Sequence, residues 1–305
     1  MRVVVSSGWF FLAAMILAYG VANLLQSAAA ARTTVHHTFD PSLLLRLAGQ
    51  RTYLLGIGCQ VLGFVMAFLA RRDLPLFLVQ ASVAAGLGVT ALLGVLLMKW
   101  RLPTAELALL ALLLGGITAL VIAAEPAQSR RLGPVVISAL AASVLLVAAL
   151  GSLAVRLHGA PGSVVLGSLA GMDFSAAAIA ARPLANEHTA AGFFTNPLLY
   201  LLIVHSLVGQ LLLGLAMQRG STTAAVAAMD AAGAVPAAIV GLLVLGDRIE
   251  PGLGWLAGLG FVVTLSAVIG LTRYAEPQHH HATSDGRRPG RSRLHAAATG
   301  PLTRG

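Results

Sequence analysis

The feature that most constrains this chain is a succession of apolar stretches, each about the length of a bilayer crossing, separated by short breaker-rich links. They fall at roughly 8–30, 52–70, 74–98, 104–123, 134–155, 160–181, 197–217, 222–246 and 252–272. About 20 apolar residues span a hydrocarbon core as a helix. The runs are rich in Ala, Leu, Val and Gly and show no alternation of polar and apolar residues, so helices fit and a β-barrel does not. Charged residues make up only 10% of the 305-residue chain, against about a quarter in soluble domains. That is too little polar surface to cover a water-soluble fold of this size. The expected fold class is an all-α membrane protein with about nine transmembrane helices.

Links such as Arg71-Arg72-Asp73-Leu74-Pro75 and Gly246-Asp247-Arg248-Ile249-Glu250-Pro251-Gly252 are short enough to make neighbouring helices antiparallel. Residues 31–51 form the longest internal loop, within which Leu43 to Ala48 is expected to lie along the interface. From about Ala275 the chain is rich in His, Arg, Gly and Ser, the composition of a disordered basic tail.

The chain also resembles itself. At the offset that lays Tyr53-Leu54-Leu55 on Tyr200-Leu201-Leu202, Arg72 falls on Arg219, Gly94 on Gly241 and Arg101 on Arg248. A three-residue larger offset lays Ala28-Ala29-Ala30-Ala31-Arg32 on Ala178-Ile179-Ala180-Ala181-Arg182, with Asn23 on Asp173. Each half then holds four helices, and the run at 134–155 is a connector. Four crossings return the chain to its starting side and the connector flips it, so the halves should be inverted. The expected organisation is a first repeat at 1–123, a connector helix at 124–159, a second repeat at 160–272 and a tail at 273–305. Secondary transporters are commonly built this way, with the site at midplane between the halves. The repeat also argues against a cleaved signal peptide at the N-terminus, although Arg2 precedes an apolar run.

The net charge of +9 does not indicate a nucleic-acid partner. Five arginines (Arg287, Arg288, Arg291, Arg293, Arg304) lie near the C-terminus, the others lie in loops, and no basic stripe with interleaved aromatics exists. Attraction to anionic membrane lipid is the expected role. Loop charges place the C-terminus in the cytoplasm and the N-terminus outside, with the protein in the bacterial inner membrane. The single cysteine, Cys59, offers no CxxC motif. A P-loop, a GxSxG elbow and an HExxH helix are all absent. The expectation is a non-enzymatic protein needing no cofactor and no bound metal.

The stretch from Pro75-Leu-Phe-Leu-Val-Gln80 to Arg101, followed by a Gly-bearing helix, resembles the end of an EamA-type half, and its partner Gly246-Asp247-Arg248-Ile249 with Pro251-Gly-Leu-Gly-Trp255 resembles the Gly-Glu-Arg turn and final helix of the same module. The chain thus resembles the drug/metabolite transporter superfamily over most of residues 8–272. It departs in counting four helices plus a connector where the family has five per half. The acid of the family's turn is Asp247, and Lys99-Trp100 replaces the start of that turn in the first half. The nine-helix count and Gly20-Val-Ala-Asn23-Leu-Leu-Gln26-Ser27 also resemble the NIPA-type magnesium transporters of this superfamily. The resemblance implies transport of a small metabolite or drug by alternating access, or of magnesium.

Ionisable groups at mid-membrane are costly and mark function. Asp173, His205 and Asp230 each stand about ten residues from a loop, roughly 15 Å deep at 1.5 Å per residue. They are expected to form one proton-coupling or cation-binding cluster between the halves, although both acids could serve only to bond neighbouring helices. Asn23, Gln26, Gln60, Gln80 and Gln210 form a second tier that could line the same cavity or simply bond helix to helix. Gly254 with Gly258, and Gly167 with Gly171, are small-xxx-small pairs suited to close packing. Pro236 should kink its helix and free a carbonyl. The His279-His280-His281 run reads as part of the solvated tail. A lipid-linked-sugar flippase, which should open laterally, and a non-transporting scaffold, which should lack a polar cavity, are the other candidates.

Overall fold

The computed structural model describes residues 7–31, 51–98, 102–157, 159–219 and 222–284. The apolar runs fold as helices: α1 (Ser7–Ala31), α2 (Arg51–Ala70), α3 (Leu76–Val83) continuing as α4 (Ala85–Met98), and α5 (Thr104–Ala123). After a two-residue strand β1 (Ala124–Glu125) come α6 (Pro134–Ala154), α7 (Gly159–Leu184), a short α8 (Ala190–Thr195) and α9 (Pro197–Arg219). Then α10 (Thr222–Val240) ends in a π-helical turn at Gly241–Leu245, and β2 (Arg248–Ile249) leads into α11 (Gly254–Ser284). Eight of these helical segments are long and apolar enough to cross a membrane, with α3 and α4 acting as one. The ninth expected run is α2, whose apolar part among the described residues, Leu54–Ala70, is shorter.

Helix burial follows side-chain size. The most enclosed helix is α7, whose buried residues are mostly Gly, Ala and Ser. Small side chains let backbones approach without hydrophobic driving force, which is how helices associate in lipid. A side chain at Gly171 would run into the Met229 carbonyl of α10, and one at Gly233 would lie 2.9 Å from the Gly171 carbonyl. Leu-rich α6 is the most exposed span, with Val135, Leu145 and Leu146 on its surface.

The closest packing partners are α1 with α2, α7 with α9, α7 with α10, and α5 with α11. The α5–α11 crossing runs through Gly116, where a Cβ would lie 2.9 Å from the Gly260 carbonyl. The expected small-residue face at Gly254 and Gly258 does not pack: no atom approaches either within 4 Å. Gly260 follows Gly258 by two residues, about 200° around the helix, so the contact lies on a different face.

One end of the bundle is clasped by polar contacts. Asp73 accepts from Ser7 Oγ and Gly8 N–H, both at 3.0 Å, capping α1. There β1 pairs antiparallel with β2, and Arg130 N–H donates to the Leu245 carbonyl at 2.8 Å. The start of α1, the end of α2, the end of α5, the end of α7 and the end of α10 therefore meet at this clasp.

The last helix runs through Ser284 rather than giving way to disorder near 273–275. No glycine interrupts the sequence between Gly270 and Gly286, and Pro277 is accommodated within the helix. The His279–His281 run lies on this extension. The segment expected along the interface at 43–48, the Lys99-Trp100-Arg101 link and residues 285–305 lie outside the described residues.

Candidate functional site

The three mid-membrane ionisable residues do not form one cluster. Two meet and the third stands apart. Asp173, on α7, and His205, on α9, are both fully buried, with Asp173 Oδ1 2.6 Å from His205 Nδ1. The other ring nitrogen, Nε2, lies 3.0 Å from the Leu140 carbonyl of α6 and 3.4 Å from Ser143 Oγ. A carbonyl can only accept, so Nε2 carries a hydrogen. The Nδ1–Oδ1 contact then holds one bridging proton, and the pair as a unit is neutral. This fixes the ring but leaves Asp173 Oδ2 without a hydrogen-bond partner among the described residues. The side chain turns toward α9 because Gly171, two residues earlier, puts the opposite face of α7 against α10.

Asp230 lies on the far side of α10, partly buried, and makes no ion pair among the described residues. It lines a small cavity with Gln80 and Ala84 from the α3–α4 span, Ala234 from α10, and Phe261 and Thr264 from α11. The water-accessible space is about 20 Å³, room for about one water molecule. Asp230 sits about 12 Å along α10 from Thr222, and Thr264 about 15 Å along α11 from Gly254. Those helices start at opposite ends of the bundle, so the two depths together match a hydrocarbon core of about 30 Å. The cavity is therefore at mid-membrane.

One irregularity lies in its wall, and a second lies further along α10. The third span is interrupted at Ala84, whose N–H bonds back to the Ala81 carbonyl at 3.3 Å rather than to Gln80, its four-residue partner. In α10, Pro236 lacks an N–H, so the Ala232 carbonyl loses its donor. Gln80 Oε1 and Thr264 Oγ1 are buried and without hydrogen-bond partners among the described residues. The cavity thus sets the unpartnered oxygens of Gln80 and Thr264 beside one carboxylate.

Of the other amides, Gln80 alone lines this cavity. Asn23, Gln60 and Gln210 are exposed on their helices, and Gln26 lies on α1 with its side chain outside the described residues. The expectation of one amide-lined site is corrected to that extent. An apolar, Ala-rich helix gives no periodic signal to say which face turns inward, so the amides could not be sorted from the sequence.

The sequence reading missed one constellation. Asp247, in the turn after α10, pairs with Arg182 at the end of α7 (Nη2 to Oδ1 2.8 Å, Nε to Oδ1 3.2 Å), with both side chains fully buried. Arg182 also donates to the Ala127 carbonyl at 2.8 Å and to the Arg71 carbonyl. The second Asp247 oxygen accepts from Leu76 N–H, capping α3, where a negative charge is favoured. Gly246 makes the turn possible at φ 78°. Arg71 lies beside this network, its guanidinium pushed down to about 10 by burial, raised by Tyr19 and lowered further by Arg182. One ion pair thus ties together four segments between spans at one membrane face. The available signal was two isolated charges at span ends, Arg182 and Asp247.

No described group of three or more His, Cys, Asp or Glu residues could hold a metal ion. Comparison with protein-family models, with curated proteins and with solved structures finds no match to this chain.

Proposed function

We propose that the protein is a secondary transporter of the bacterial inner membrane, moving a small metabolite or drug by alternating access with proton coupling. The observation that carries this reading is the Asp230 carboxylate, without an ion-pair partner among the described residues, at the wall of a mid-membrane cavity built from both parts of the chain. An uncompensated acid at that depth is too costly to persist without a use. The carboxylate would hold a proton and a cationic substrate in turn.

An inverted repeat, with α2 counted as a ninth span, supports the same reading. α1 begins at the clasp, whereas its counterpart α7 ends there. The close contact of α1 with α4 at Gly86 has its counterpart in that of α7 with α10 at Gly233, and Gly86 falls on Gly233 at the offset of Tyr53 on Tyr200. The α5–α11 crossing at Gly116 and Gly260 joins two helices that are counterparts, as expected on a two-fold axis in the membrane plane. The resemblance to the drug/metabolite transporter superfamily points the same way. In this arrangement the Asp173–His205 pair, already neutral, supports the second half rather than the substrate. The C-terminus is placed in the cytoplasm.

Reconstitution tests this. Asp230→Asn should abolish proton-coupled uptake in proteoliposomes while expression and thermal unfolding of the purified protein stay close to wild type. Unchanged uptake would reject the assignment.

A further inference from the structure

The cavity's chemistry narrows what it can take. We propose that the Asp230 cavity is a site for a single positive charge: a small monovalent cation, or the ammonium group of an amine, held by oxygen acceptors. This rests on reading the cavity as the transporter's binding site and goes further by naming the class of ligand.

Charge comes first. Among the described residues, Asp230 is the sole ionisable one lining the cavity. The nearest other acid at this depth, Asp173, is engaged with His205 on the opposite side of α7 and makes a neutral unit. The buried Asp247 is matched by Arg182 at the membrane face. One carboxylate neutralises one positive charge. A dication there would leave a net charge in low dielectric, and ions so placed are penalised strongly. Divalent oxygen sites generally supply several carboxylates or keep a water shell, and a cavity of about 20 Å³ has no room for that shell.

Donor type comes second. Gln80 Oε1, in the same cavity wall as Asp230, is buried without a partner among the described residues, and an amide oxygen can only accept. The interruption at Ala84, itself a lining residue, takes the Gln80 carbonyl from its usual helical donor within the same wall. A broken helix at a mid-membrane cavity suits a monovalent ion or an N–H-rich cation. An anion would meet the like charge of Asp230.

The test uses the full chain, purified and placed in lipid nanodiscs. The thermal unfolding midpoint is followed while sodium, potassium, ammonium, methylammonium or magnesium chloride replaces N-methylglucamine chloride at constant ionic strength. At least one monovalent cation should raise the midpoint saturably, with an apparent Kd at least tenfold below that of magnesium. Asp230→Asn should remove the effect, and Gln80→Leu should weaken it at least threefold. A response to sodium or potassium assigns a bare metal ion, and a response to the ammonium salts alone assigns an amine. Equal or tighter magnesium binding, no saturable monovalent effect, or an effect that survives Asp230→Asn overturns the proposal. Should Asp230→Asn fail to fold, the wild-type ion ranking and Gln80→Leu decide it. Asp230-dependent uptake without monovalent binding would reject this inference and leave the transporter reading standing; binding without uptake would do the reverse.

Discussion

Arg182 and Asp247 illustrate why a buried charge must be judged with its partners. Each is costly to place away from water, and the pair is tolerated because Arg182 also reaches the Arg71 and Ala127 carbonyls and Asp247 caps α3. Removing one member of such a pair costs about 3–5 kcal/mol, whereas replacing both by apolar residues costs much less. Asp247→Leu and Arg182→Met should therefore each lower the unfolding midpoint of detergent-solubilised protein strongly. The double change to Arg182→Met with Asp247→Leu should recover part of that loss, as a double-mutant cycle would measure. At the other buried pair, the Nε2 hydrogen bond to Leu140 leaves a single proton between His205 and Asp173. An asparagine can donate that hydrogen bond to a neutral ring, so Asp173→Asn should shift stability by less than about 1 kcal/mol. His205→Ala leaves a buried acid unpaired and should cost about 1–3 kcal/mol. Equal losses for the two variants in thermal unfolding would contradict the one-proton description.

Among the helices, α7 is the axis of the second part of the chain, and its glycines and alanines set the spacing of its neighbours. The contact of Gly171 with Met229 and Gly233 of α10 leaves no room for a Cβ. Gly171→Val should force the helices apart and cost about 1–3 kcal/mol or more, whereas Gly258→Ala, facing open space, should be neutral or slightly stabilising. Unfolding midpoints of the two variants compare them directly. The interruption of the third span at Ala84 is the other consequential feature. It follows from no proline or glycine at that position, since Ala84-Ala85 is good helix sequence, and it is imposed where the span passes the Asp230 cavity.

Across the whole molecule, the clasp joins four segments between spans at one face. The helix order gives a test of topology. In a Cys59→Ala background, single cysteines at Arg72 and Gly252 should react with an impermeant maleimide from the same side of the membrane. A cysteine at Arg156 should react from the other side, the one proposed as cytoplasmic. Labelling of Arg72 and Gly252 from opposite sides would refute the helix order described.

The amino-acid sequence by itself determined the solvent, the helical class, the approximate limits of the spans and the depth of Asp173, His205 and Asp230, because each follows from length, hydropathy and rise per residue. It also showed the offset at which the chain matches itself. The direction in which each polar side chain points was decided by tertiary packing alone. In helices apolar on every face, no pattern marks the inward side, so Gly171 against α10 turns Asp173 to His205, and the same contact leaves Asp230 to a cavity of its own. The clasp escaped the sequence for a related reason: Arg182 and Asp247 lie far apart along the chain, and only the folded bundle removes both from water and makes each the other's necessary partner.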